Sequence, residues 1–494
     1  MELSVFNRGL ILFVGFAWLG LMLPGGGAAH AADEAAAKPL NVLFISIDDL
    51  RPQTGSYGHA YMKTPAIDQL AREGRLFRRH YVQVPTCGAS RAALLSGRYP
   101  SRPEGYENSA VVAWARDRGA TEVSLPQLFR KNGYTTVSIG KITHEPDGRL
   151  KGEPELPDAW DEVGVPHGKW GDAWGAFFAY ADGSTRTPGK SPATESAEVP
   201  DEGYPDGLIA QAAIDKLREL KDKPFFLAVG FFKPHLPFNA PQRYWDLYDP
   251  QQIPAPQNTS PPQGIDPKIS LHRSGELTPR YTGLATPGTV TQAEAIHLRH
   301  AYAACVSYAD AQVKKVLDEL DVLGLRESTI VALWGDHGWH LGEHGIWGKH
   351  TLHEVALHAP LIVRVPQMPS PGAVAHSIVE TVDLFPTLAE LCGLRTPSDL
   401  DGKSFAALLA DPSAPGKPAV YGFWARGRAH TIRTARYRLI EWTAQGERSR
   451  VVQVELYDHE SDPHETRNIA EQHPQLVQEL TAQLHQNVPL LRQE

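Results

Sequence analysis

Cysteine is nearly absent. The 494 residues contain three, Cys87, Cys305 and Cys392, too few for a fold stapled by disulfides. A surplus of positive charge is missing as well. The formal net charge is −9, which argues against nucleic-acid binding and gives a polyanion no bulk attraction. An anionic substrate would have to be captured by a local cationic pocket. Internal repeats are missing too. What remains is ordinary for a large globular chain. Hydrophobic residues make up 42% and charged residues 21%, and the length allows a large core and more than one lobe.

One apolar run stands apart. Arg8 precedes Leu10–Leu23, followed by Pro24-Gly25-Gly26-Gly27 and the small-residue stretch Ala29-His30-Ala31. This is the layout of a secretory signal peptide, residues 1–31. It predicts an exported protein, periplasmic, secreted or lumenal according to host, with no stable membrane insertion after cleavage. An uncleaved anchor is the alternative, but the run is short for a full span. Glu2 and Arg8 are the segment's only charges, so its removal leaves the net charge unchanged.

Downstream, Asn41–Ile47, Phe225–Phe231, Thr329–Trp334 and Pro360–Val365 are near-continuous apolar runs and predict buried strands. Tyr134–Ile139 predicts another. Helices are predicted over Thr64–Ala71, Arg91–Leu95, Leu125–Lys131, Asp206–Leu220 and Glu294–Leu323. Strands alternating with helices imply an α/β fold, its parallel sheet covered on both faces and its ligands at the carboxyl ends of the strands. Trp160–Pro205 and Pro250–Pro287 are rich in Pro, Gly and polar residues. They read as surface insertions of the kind that carries recognition. Beyond about Asp401, short strands in series and a helix from about Pro474 to Leu484 predict a smaller antiparallel sheet. The expected division is a catalytic domain over 39–400 and an α+β subdomain over 401–494.

Chemistry gathers where the buried strands end. Asp48-Asp49 follows directly on Ile47, and Gly335-Asp336-His337-Gly338 follows the Thr329 strand. Buried carboxylates are costly unless positive charge neutralises them. Two strands of one sheet bring these acids to one edge, where a hard divalent cation is the natural partner; either pair alone also reads as a cap or turn. Cations follow other strands: Gly140-Lys141 with His144, Lys233-Pro234-His235, and Lys349 after Trp347-Gly348. Arg91 lies four residues beyond Cys87, so a helical turn returns it beside the thiol. Each alone reads as a solvated charge; at the ends of parallel strands they converge on the acids. His337, His340 and His344 admit a zinc reading, although Gly338, Gly342 and Gly345 disfavour the helix that such ligation needs. Cys305 and Cys392 read as small buried hydrophobes, whereas Cys87 lies on a loop bounded by Pro85 and Gly88.

The run Cys87-Gly88-Ala89-Ser90-Arg91, continued by Leu95-Ser96-Gly97-Arg98, resembles the sulfatase signature Cys-x-Pro-Ser-Arg-x-x-x-Leu-Thr-Gly-Arg. Ala89 stands in place of Pro and Ser96 in place of Thr. Asp48-Asp49-Leu50-Arg51-Pro52, Phe225–Pro237 and Asp336–Lys349 resemble iduronate 2-sulfatases in particular, and Glu455–Asn468 resembles the C-terminal sulfatase motif. The likeness runs from about residue 39 to 469. It implies an alkaline-phosphatase-like fold: a large, mostly parallel sheet sandwiched by helices, with a smaller C-terminal antiparallel sheet and helix. It implies that a formylglycine-generating maturation enzyme converts Cys87 to formylglycine (3-oxoalanine), whose hydrate attacks sulfur. It further implies Ca2+ held by Asp48, Asp49, Asp336, His337 and the modified Cys87. Arg91, Lys141 and Lys349 would contact sulfate or the hydrate. His144 would support the nucleophile, and His235 would protonate the leaving alcohol. Arg51, Lys233, Trp339 and Trp347 are substrate-contact candidates, the substrate being a sulfated carbohydrate. Three alternatives stand beside this reading. They are a phosphoester hydrolase of the same superfamily, a non-catalytic sulfated-glycan-binding protein with Cys87 left unmodified, and an enzyme using the free thiol.

Overall fold

The apolar runs become the middle of one large sheet in the computed structural model, which describes residues 39–119, 121–284 and 289–488. The expected signal segment, residues 1–31, lies outside the described residues. In chain order the strands are β1 (Asn41–Ile47), β2 (Arg75–Tyr81), β3 (Thr135–Gly140), β4 (Glu162–Gly164), β5 (Phe225–Phe231), β6 (Thr329–Gly335), β7 (Leu361–Arg364) and β8 (Val374–Glu380). Across the sheet they lie in the order β8-β2-β7-β6-β1-β5-β3-β4. β1 is parallel to both neighbours, and its last residue, Ile47, is level with Gly335 of β6 and Phe231 of β5. The residues that follow these three strands therefore emerge side by side.

One strand departs from the parallel expectation. β7 runs against both β6 and β2, so seven of the eight strands point one way and one is reversed. The reason is local. The chain between β6 and β7 stays at the carboxyl edge, forming a small hairpin of His340–Leu341 with Trp347–Gly348. With no crossover helix, it re-enters the sheet from the edge it left, Leu361 beside Trp334, and must run back.

Strand alternation divides the core in two. Leu43, Ile45 and Ile47 face one side, where α1 (Pro65–Glu73), α4 (Pro205–Leu220) and α5 (Gln292–Val322) bury Ile67, Leu217 and Val313 against them. Val42 and Phe44 face the other, against Leu94 of α2 (Cys87–Ser96), Phe129 of α3 (Leu125–Lys131) and Leu388 of α6 (Leu384–Leu391). The α5 helix starts on a reciprocal cap between Thr291 and Glu294, and Cys305 is wholly buried within it. Further on, β9 (Ala419–Trp424), β10 (Ala429–Thr434), β11 (Tyr437–Ala444) and β12 (Glu447–Asp458) pair antiparallel in series. The last helix, α7 (Pro474–Asn487), covers them through Leu480 and Leu484, packed with Ile432, Leu439 and Leu456. Among the described residues, no helix is long and apolar enough to cross a membrane.

Candidate active site

Cys87 does not lie on a loop. It is the first residue of α2, and extended Thr86 precedes it at the cap position. Gly88 and Ala89 complete the first turn, where helical demands are relaxed and proline and alanine are both accommodated. A Cβ on Gly88 would come 2.1 Å from the backbone oxygen of Asn108, so glycine is required for that close approach. Ala89 points away from the site, packing with Tyr106 and Ala110.

Three strand ends deliver the polar groups around this thiol. Asp48 and Asp49 leave β1, Asp336 and His337 leave β6, and Lys141 leaves β3; all are essentially buried. Asp49 adopts a left-handed backbone, φ 58°, a conformation that short polar side chains tolerate at modest cost. Its amide donates to Asp336 Oδ1 at 2.9 Å, locking the two strand tips together. Arg91, one helical turn beyond Cys87, is wholly buried. It reaches Asp48 at 3.2 Å and Asp336 at 3.0 Å and also donates to the backbone oxygens of Lys141 and Ile142. Lys141 Nζ lies 2.7 Å from Asp48, and Lys349 Nζ lies 2.8 Å from Asp49. The Cys87 sulfur sits among them, 3.2 Å from Lys349 Nζ, 3.3 Å from His337 Nε2 and 3.9 Å from Asp49 Oδ1.

The charges split the acids. Burial pushes Asp48 up, but Lys141 and Arg91 outweigh it and hold its carboxyl well below the ordinary range. Burial wins at Asp49, which is raised despite Lys349. Burial and the charge of Asp48 lift Asp336 to about 7 against the pull of Arg91. With Glu276, 3.4 Å from Lys349, four carboxylates face three cations, Arg91, Lys141 and Lys349. Asp49 Oδ2 is buried without a hydrogen-bond partner. Burial, with Lys349 nearby, keeps His337 neutral. Its Nδ1 lies 3.0 Å from the oxygen of Gly338, which places the proton there and turns the Nε2 lone pair toward Asp49 at 3.4 Å. A lone pair facing carboxylate oxygens is repulsive until a cation lies between them. Asp49, Cys87 and His337 place ligand atoms within 4.8 Å of one another, as do Asp48, Cys87 and Asp336. This donor set fits a hard divalent cation.

Above the sulfur opens a cavity of about 410 Å³, whose lining includes Lys141, His144, His235 and Lys349. Its walls come from the two insertions: Trp174, Phe178 and Arg186 from the first, Glu276, Arg280 and Tyr281 from the second. Burial and Lys141 depress His144 to about 3. His235 is likewise lowered by burial and by Lys349.

Residues 40–394 match the family described as Sulfatase, and residues 342–494 match that described as N-sulphoglucosamine sulphohydrolase, C-terminal. The chain belongs to the sulfatase family. It is 33% identical to iduronate 2-sulfatase of Homo sapiens over 458 residues, covering 82% of each protein. It is 31% identical to a sulfatase of Formosa agariphila over 453 residues, covering 87% of this chain and 83% of that one. Its fold is similar to that of the phosphonate monoester hydrolase of Agrobacterium radiobacter, with a TM-score of 0.75 at 24% identity over 91% of this chain and 95% of that one. As a sulfatase, the protein is a sulfuric ester hydrolase with an iduronate-2-sulfatase-like sequence.

Several sequence-predicted residues of this sulfatase lie elsewhere than expected. Arg91 does not line the cavity; it sits behind Asp48 and Asp336 with its donors spent on them and on two carbonyls. Lys233 is also turned away, its Nζ held by the oxygens of His235 at 3.0 Å and Pro237 at 2.6 Å. Arg51 pairs with Glu343 at 3.0 Å and donates to the oxygen of Trp339. Trp339 is buried beneath the site, its ring 5.1 Å from Lys349 Nζ. Trp347 is buried against a separate cavity beside Pro256 and Ser274. The histidines of the zinc reading do not converge. His340 bonds the oxygen of Glu343 and the Thr351 hydroxyl, and His344 bonds the oxygen of His464.

Sequence reasoning missed Glu276, whose carboxylate lies 3.4 Å from Lys349, together with Arg186, Arg280 and the aromatic wall. The two Pro/Gly-rich insertions were the only signal for them.

Proposed function

We propose that this sulfatase hydrolyses sulfate esters on a sulfated carbohydrate, with Cys87 as the precursor of a formylglycine nucleophile and Ca2+ as its cation. The carrying observation is the position of the Cys87 sulfur, at the floor of the cavity between Lys349, His337 and Asp49. Asp48, Asp49, Asp336 and His337 would hold the cation, which when bound polarises the sulfate oxygens and neutralises their charge. A hydrated aldehyde at Cys87 would supply two hydroxyls on one carbon, one as nucleophile toward sulfur and one whose loss of a proton would release sulfate.

The chain's own groups do the rest. Lys141 and Lys349, both at the cavity, place positive charge where an anionic ester must sit. His235 lines the same cavity and serves as acid toward the leaving alcohol. It is neutral in the free protein, and an arriving sulfate anion favours its protonated form. His144 faces the nucleophile's side, its Nδ1 buried without a partner. Arg91 and Lys233 act as positioning residues, the first on the acids and the second on the His235 turn. A free-thiol mechanism is disfavoured because burial and Asp48 push the Cys87 thiol well up, away from the reactive thiolate. The same reading assigns catalysis to residues 39–400, a supporting subdomain to 401–494, and export to the segment 1–31.

The test is mass spectrometry of the Cys87 peptide from protein made alongside a formylglycine-generating enzyme, paired with sulfate release from sulfated disaccharides in calcium. Aldehyde at Cys87 in the active protein is the expected result. An active protein with only unmodified cysteine refutes the mechanism.

A further inference from the structure

The cations on the cavity floor are all paired. Arg91 is shared by Asp48 and Asp336, Lys141 is bound to Asp48, and Lys349 is bound to Asp49 and Glu276. The cavity wall is different. Arg186 and Arg280 face the same space as Cys87, yet among the described residues neither has an ion-pair partner.

Arg186 is held in place without being neutralised. Its guanidinium carbon lies 3.5 Å from the centre of the Phe178 ring and 5.6 Å from that of Tyr281. One amino group donates to the Tyr281 hydroxyl at 3.3 Å, while its Nε is buried with no partner. The backbone beneath is stitched across the two insertions. Gly189 donates to Arg280 O, Thr282 to Ser191 O, and Ala193 to Thr282 O. An arginine fixed between aromatic rings, with a buried N–H unspent, has already lost the side-chain freedom that anion capture would cost. Such a planar fork matches a carboxylate or a sulfate group.

Resting on the reading of Cys87 as the reacting centre, we infer that Arg186 and Arg280 form a second anion subsite. The substrate then carries, besides the scissile sulfate ester, another anionic group on the same or the adjoining sugar. A carboxylate and a second sulfate share the required chemistry.

The experiment uses the calcium-loaded full chain with Cys87→Ala, so that no turnover occurs. Calorimetry compares ligand pairs differing by one anion: iduronate 2-sulfate against its methyl ester, and glucosamine N,6-O-disulfate against N-acetylglucosamine 6-sulfate. In at least one pair the dianion binds about 10–100-fold more tightly, as charge-assisted hydrogen bonds give. Arg186→Ala combined with Arg280→Ala brings that ratio close to one, and Arg186→Lys restores only part of it. The responsive pair identifies the second group as carboxylate or sulfate. The subsite is refuted by ratios near one in both pairs of the parent. It is equally refuted by a ratio that survives the double substitution, or by equal weakening of monoanion and dianion. Failure of the formylglycine mechanism would appear separately, in the Cys87 peptide and in sulfate release by the unsubstituted chain.

Discussion

Replacing Arg91 by Met tests the charge balance of the floor. Among the described residues, Arg91 supplies the only side-chain donors to Asp336 Oδ2, at 3.0 and 3.2 Å, and one of the two cations on Asp48. Methionine fills much of the volume and leaves a buried carboxylate uncompensated. Breaking a buried pair in this way costs about 3–5 kcal/mol, roughly a fifth or more of the stability of an ordinary domain. Arg91→Met/Asp336→Asn removes the stranded charge along with its partner. It should be less damaged than the two single losses added together, by at least about 1.5 kcal/mol of coupling. Calcium supplies a competing cation to the same carboxylates, so the single variant should recover part of its loss when calcium replaces EGTA. Guanidinium denaturation followed by fluorescence of the 11 tryptophans gives all these quantities. A loss under about 1 kcal/mol for Arg91→Met, or strict additivity in the double variant, would show that Arg91 does not carry the balance of charge.

Other expectations follow from the same geometry. Asp336, ordinarily 3.8, is raised to about 7, so the ion-free fold keeps a proton that the unfolded chain releases near pH 4. Its contribution to stability is therefore lost as pH rises toward 7, and calcium, which displaces that proton, should raise Tm more at pH 8 than at pH 5. Thermal melts in calcium and in EGTA across that range test the sign, and an equal rise at both ends contradicts it. Gly230→Ala would put a Cβ 2.2 Å from the backbone oxygen of Lys141. It should cost about 1–3 kcal/mol by overpacking, lowering both Tm and turnover; an unchanged kcat would mean that Lys141 need not stay where it is. Lys233→Met releases the carbonyls of His235 and Pro237. A drop in kcat of about tenfold or more, with KM within about threefold, is the signature of lost positioning; a change confined to KM would make Lys233 a substrate contact instead.

The interior strands were legible because their residues are apolar without interruption, and Asp48, Lys141 and Asp336 were legible because each follows such a run. Strand β2 was not. Arg75, Arg78, Arg79 and His80 break its pattern, yet Arg75 is buried by donating to five backbone carbonyls, among them those of Leu408 and Leu409. Tertiary partners overrode composition there. The helix start at Cys87 was hidden by Pro85 and Gly88, which read as a loop until the close approach of Asn108 explains the glycine. At the site, residue type was readable and direction was not. Arg91, Lys233 and Arg51 are the expected cations, but only the fold shows that they turn to carbonyls and carboxylates rather than to the cavity. The wall residues lie on insertions without periodicity, so nothing short of the fold joins Arg186 to Tyr281.

The seating of Cys87 sets an order of events. Its side chain is on the first turn of a core helix, 3% exposed, with Gly88 pressed against the backbone of Asn108. Small molecules reach the sulfur through the cavity, but another protein's catalytic groups cannot close around it without pulling the helix from the sheet. On the proposed reading of Cys87, an enzyme that rewrites this residue would have to reach it before α2 docks on the sheet. The active fraction of a preparation would then be decided by a race between helix docking and chemistry.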